Sequence, residues 1–141
     1  MIEFIIGAKG SGKTKTLIDL INKAAAETSG YVVCIEKNMN LLYDLKHTVR
    51  LIDVDEYSIT GYEQFYGFVA GVLAGNYDIR EVFIDGIFRI GARDVTGFEK
   101  FIERLAVLCR DIKVVMTVSE RPENLPVSLR QYEIIEEEGV V

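Results

Sequence analysis

Short runs of β-branched and other apolar residues, separated by longer stretches of helical periodicity, constrain this chain most. Residues 2–6, 31–35, 49–54, 82–84 and 112–118 are such runs. They read as strands, and their near-continuous apolarity is that of strands covered on both faces in a parallel sheet. Residues 132–135 form a weaker sixth candidate. Between them, residues 13–28 place Leu17, Leu20, Ile21, Ala24 and Ala25 on one helical face, and Gly30 follows as a stop signal. Residues 98–110 repeat Phe98, Phe101, Ile102, Leu105, Leu108 and Cys109 at helical spacing. Thr96 with Glu99 precedes that helix as a capping box, and Thr60 with Glu63 does the same for a helix over residues 62–74. Residues 40–47 suit a shorter helix. This alternation predicts an α/β three-layer sandwich around a mostly parallel sheet of five or six strands.

The 141 residues amount to one domain, 1–141, with residues 136–141 expected to fray as an acidic tail. With 16 Lys and Arg against 22 Asp and Glu, the net charge of −6 argues against a phosphate-backbone partner such as nucleic acid. No apolar run approaches the ~20 residues of a membrane span, and the start of the chain is too short and acidic for a signal peptide. The expected location is the cytoplasm. Cys34 and Cys109 form no CxxC pair and have only His47 for company, so they read as buried thiols rather than metal ligands or a disulfide.

Gly7, Ala8, Lys9, Gly10, Ser11, Gly12, Lys13 and Thr14 satisfy GxxxxGK[ST] at every fixed position, between an apolar strand and a helix. Glycines let the backbone approach phosphate closely and adopt positive φ. The loop N–H groups and the helix N-terminus supply partial positive charge. Lys13 is expected to reach the β- and γ-phosphates and Thr14 to offer its hydroxyl to Mg²⁺. Lys15, next in the helix, completes the nucleotide-binding set. In these residues, and in its order of elements, the chain resembles the P-loop NTPase superfamily, most closely its RecA-like division. The position five before Lys13 is Ala8, which sets aside the deviant loop of partitioning ATPases, where a second lysine stands there.

The resemblance implies a sheet order 3-2-4-5-1, with the sixth strand beyond the first, and a metal-holding acid at the end of a buried strand. Asp85 fits that role; Gly86 follows it, where many P-loop ATPases carry a glutamate. RecA-like ATPases place the water-activating glutamate on the neighbouring strand, and Glu36 matches it, with Asp53 and Asp55 as weaker substitutes. Lys13, Glu36 and Asp85 are therefore the expected catalytic residues. Thr117 and Ser119 are candidate phosphate sensors, and Arg89, Arg93 and Arg121 candidate arginine fingers.

Residues 57–77 hold six of the fourteen aromatics and a glycine on each turn at Gly67, Gly71 and Gly75. An interior glycine costs a helix ~1 kcal/mol relative to Ala. Close packing within the chain, a homo-oligomer or protein-partner interface, or a base-stacking platform would each offset that cost.

The expected function is an ATP-binding, Mg²⁺-dependent ATPase whose output passes through a partner or self-assembly. A small-molecule kinase, with residues 86–95 as a short lid, and a non-catalytic nucleotide switch are the alternatives. No NKxD sequence specifies guanine, so ATP is the expected nucleotide.

Overall fold

The computed structural model describes residues 1–137. The elements run β1 (Ile2–Gly7), α1 (Lys13–Glu27), β2 (Tyr31–Glu36), β3 (Arg50–Asp53), α2 (Tyr62–Ala74), β4 (Ile79–Ile84), α3 (Ile87–Gly91), α4 (Val95–Leu108), β5 (Lys113–Ser119) and β6 (Glu133–Glu136). The six strands form one sheet in the order β3-β2-β4-β5-β1-β6, and every neighbouring pair is parallel. It differs from the five-strand order 3-2-4-5-1 at one edge, where β6 adds to β1.

Helices cover both faces unequally. On one face α1 works almost alone, burying Leu17, Ile21 and Ala24 against Ile5, Val32, Cys34, Phe83 and Val115. On the other, α2, α3 and α4 enclose a larger core around Phe4, Phe65, Ile84, Phe98 and Phe101. Phe98 lies within ring-contact distance of Phe4, Tyr62 and Phe88, so one side chain ties β1 to α2, α3 and α4. Because all strands point the same way, the carboxyl ends of β1, β4 and β5 emerge together at one edge of the sheet. That edge is where open α/β sheets bind ligands.

Local details depart from the sequence reading. Residues 40–44 form consecutive turns rather than a helix, and Leu41 alone is driven into the α1-side core. Neither expected capping box forms. Asp94 caps α4 by accepting from the Gly97 N–H, and Gln64 takes the Thr60 N–H while Glu63 pairs with Arg104. Two residues expected in the frayed tail are instead held: Glu136 ends β6, and the Glu137 N–H donates to the Ile6 carbonyl. Residues 138–141 lie outside the described residues.

The aromatic stretch is mostly core. Phe65 is fully buried, while Tyr62, Tyr66 and Phe68 pack against the larger cluster; Tyr57 and Tyr77 stay exposed. Gly67 and Gly71 face open space, with nothing within 4 Å of where a Cβ would sit, which removes close packing within the chain as their reason. Gly91 is the opposite case: a Cβ there would run into the Tyr62 ring.

These two environments predict opposite effects of the same change. Gly71→Ala removes backbone freedom at no steric cost and should stabilise the fold by ~0.5–1 kcal/mol. Gly91→Ala should destabilise it by ~1–3 kcal/mol through overpacking, and much less in a Tyr62→Ala background. Urea denaturation of the four variants checks this; equal Gly91→Ala costs in both backgrounds would refute the Tyr62 contact as the cause.

Candidate functional site

The end of β1, the loop over residues 7–14 and the first turn of α1 form the floor of a cleft. Gly10 and Gly12 sit at φ +82° and +99°, backbone that an L side chain would strain. With these bends the loop turns back on itself, Ser11 N–H donating to the Ala8 carbonyl. Lys13 Nζ donates to that same carbonyl at 2.9 Å, so the ammonium is held at the loop mouth. Burial pushes its pKa below the ordinary lysine value; Asp85 partly opposes that shift and Arg89 adds to it.

Asp85 follows β4 and is only 4% exposed. Its Oδ1 accepts from Thr117 Oγ1 at 2.7 Å and from Thr14 Oγ1 at 3.3 Å. Thr117 in turn accepts from the Gly86 N–H at 2.7 Å, so β5 fixes both the carboxylate and the turn after it. Gly86 lies at φ +75°, and the Arg89 guanidinium occupies the space a Cβ would need. A side chain at this position would be strained by that φ. From α3, Arg89 returns to Asp85 Oδ2 at 3.4 Å. Arg93 donates to the Ser119 carbonyl at 2.8 Å, pairs with Glu120 at 3.0 Å and stands over the Phe88 ring.

Together Lys9, Gly10, Lys13, Thr14, Asp85, Gly86, Arg89, Arg93, Thr117 and Ser119 line a cleft of about 300 Å³. It brings four cations to one carboxylate, a charge balance suited to a polyanion. The segment expected as a lid is thus α3 and its flanks, folded onto the cleft wall. Among the described residues, no three or more His, Cys, Asp or Glu side chains converge to hold a metal by themselves. Thr14 and Asp85 instead offer two hard oxygen donors side by side, which fits a Mg²⁺ ion that also takes oxygens from its ligand.

Several expected residues lie elsewhere. Lys15 is exposed, and Arg121 is exposed on the loop after β5; neither lines the cleft. Asp53 accepts from the Asn38 and Asp55 N–H groups, and Asp55 pairs with Lys37, so both are committed to the β3 edge. Glu36 is fully buried, and it does not line the cleft. Its Oε2 accepts from the Leu41 N–H at 2.9 Å, while Oε1 has no partner. In this position the carboxyl organises the loop after β2 through the Leu41 N–H, and it senses the charges of Asp85 and Arg89 across the strand ends. Burial raises its pKa, offset in part by the Leu41 N–H. Both cysteines are buried free thiols, and burial lifts Cys109 to about 11, so neither is a nucleophile. The short helix α3 escaped the sequence reading; five residues are less than the periodicity needed to reveal it.

The raised Glu36 pKa has a sign that can be checked. A carboxyl that holds its proton more tightly when folded contributes stability at low pH and loses it as pH rises through the folded value. Above the ordinary glutamate value of 4.5, the wild type should therefore lose stability relative to Glu36→Gln, and the gap should close at lower pH. Urea melts of both proteins from pH 4 to 8, roughly the window in which carboxyls of raised pKa titrate, give the measurement. A pH-independent gap would refute the raised pKa.

The chain matches no protein-family model, and no curated protein matches it.

Proposed function

We propose that this chain binds a nucleoside triphosphate, ATP, with Mg²⁺ over residues 7–14, and couples its binding or hydrolysis to a partner or to self-assembly. The observation that carries the reading is the hydrogen-bonded set Thr14–Asp85–Thr117 beside the Lys13 ammonium, at the mouth of a glycine-bent loop that opens a 15-residue helix. The helix N-terminus and loop N–H groups favour phosphate oxygens, and Lys13, Arg89 and Arg93 add charge where a terminal phosphate would lie. Thr14 and Asp85 would hold Mg²⁺, which supplies charge neutralisation at the phosphate oxygens. Arg89, half exposed and only lightly held at 3.4 Å, is free to exchange Asp85 for a phosphate oxygen. Thr117 keeps Asp85 in place while it does so.

One observation favours the nucleotide-switch reading over fast intrinsic hydrolysis. Among the described residues lining the cleft Asp85 is the one carboxylate, and it is already committed to Thr117 and Thr14. A group to orient the attacking water would then come from a partner or a second copy.

Binding of Mg·ATP measured by calorimetry, with phosphate release followed in parallel, tests the proposal. Lys13→Ala should weaken binding on the order of tenfold or more, the loss of a charged hydrogen-bond donor, and abolish any release. Wild-type affinity in that variant would remove the site. A specific rate that rises with protein concentration would identify a group supplied in trans.

A further inference from the structure

The cleft uses one flank of the first turn of α1, and the other flank is built as well. β6 runs parallel beside β1 with Ile6 opposite Glu136, so the chain leaves β6 at the end of the sheet where β1 enters the loop. Glu137 follows. Its N–H donates to the Ile6 carbonyl at 2.8 Å, and its Oε1 accepts from Thr16 Oγ1 at 2.8 Å. The Glu137 carbonyl and the Ser11 hydroxyl close in on Gly7 so tightly that a Cβ there would meet both. Ser11 Oγ is buried at this point without a hydrogen-bond partner. Thr14 and Thr16 stand two residues apart, about 200° around the helix. They accordingly serve opposite flanks, Thr14 bonding to Asp85 and Thr16 to Glu137.

Charge separates these flanks. Lys13, Arg89 and Arg93 stand on the Asp85 side. On the other side Glu137 has no ion-pair partner among the described residues. A polyphosphate is drawn to the first flank and repelled by the second. With phosphates on the first flank, the uncharged part of a nucleotide is the part that could approach Glu137 without repulsion.

We infer that Glu137 is the nucleoside-recognition residue of the site. Its carboxylate, oriented by Thr16, accepts a hydrogen bond from a neutral donor on the nucleoside, a ribose hydroxyl or an amino group of the base. This rests on the phosphate-loop reading of residues 7–14. Thr16 engages Oε1, and Oε2 carries no hydrogen bond among the described residues, so an acceptor stands ready. An ionised carboxylate only accepts, and so it selects donors and rejects carbonyl or phosphate oxygens.

Calorimetric titration of the full chain with Mg²⁺ and five probes tests this: ATP, 2′-deoxy-ATP, 3′-deoxy-ATP, purine riboside triphosphate and inorganic tripolyphosphate. The wild type should bind ATP on the order of tenfold tighter than whichever analogue lacks the donor used, as for a hydrogen bond to a charged group. A deoxy analogue singles out the ribose; purine riboside triphosphate singles out the base amino group. Glu137→Ala should erase that gap and leave tripolyphosphate binding unchanged, and Glu137→Gln, which keeps an acceptor, should retain part of it. Equal affinities of the wild type for ATP and all three analogues would overturn the inference. So would a Glu137→Ala variant that loses tripolyphosphate as much as ATP, because Glu137 would then only brace the loop. A wild type that does not bind tripolyphosphate would remove the phosphate-loop reading itself, and this inference with it. Should Glu137→Ala fail to fold, the analogue series on the wild type decides alone.

Discussion

Burying a carboxylate at the tip of an apolar strand costs several kcal/mol unless hydrogen bonds and charge answer it. Asp85 is answered from three elements: Thr117 of β5, Thr14 of α1 and Arg89 of α3. Each answer fixes something else. Thr117 also accepts from Gly86, which holds the left-handed bend that starts α3. That bend is what turns Arg89 back over its own strand end. The cleft is thus the arrangement that satisfies one buried charge, and its remaining positive charge is the surplus of cations over that single carboxylate.

The first turn of α1 receives a second constraint from the opposite side. Thr16 binds Glu137 just as Thr14 binds Asp85, so the helix N-terminus is held between two carboxylates. Acidic groups near a helix N-terminus are favourable electrostatically. α1 has no side-chain cap and no acidic residue in its first turn, so these two tertiary contacts supply what the local sequence does not. β6 matters for this reason: a strand added outside β1, parallel to it, is the shortest way to bring an acidic segment to the loop.

What could be read beforehand follows from how local each signal is. The placement of the loop over residues 7–14 beside Asp85 was legible because the apolar strands before them fix where each emerges. The parallel sheet was legible from the β-branched runs. The contact from the Leu41 N–H to Glu36 was not: a glutamate ending β2 looks the same in sequence whether or not a loop N–H five residues on donates to it. Glu137 was read as part of a fraying tail because its partner, Thr16, is 121 residues away. Gly67 and Gly71 signalled close approach by spacing alone, and the packing of Phe65 and Val69 turned that face outward.

The fate of Glu36 bears on what kind of nucleotide protein this would be. Moving it into the cleft would cost the Leu41 hydrogen bond and loosen the turns over residues 40–44, whose only buried anchor in the α1-side core is Leu41. Leaving it in place keeps a buried carboxyl whose pKa burial raises. A base for water activation must lie within reach of the water; Glu36 is bound by the Leu41 N–H and is not among the residues lining the cleft. On the proposed reading, the cleft offers cations and the Thr14–Asp85 pair to a polyphosphate, and the one carboxylate among the described lining residues is already hydrogen-bonded. On that reading a partner or a second copy would supply the group that orients water from beside Arg89 and Arg93, both more than half exposed.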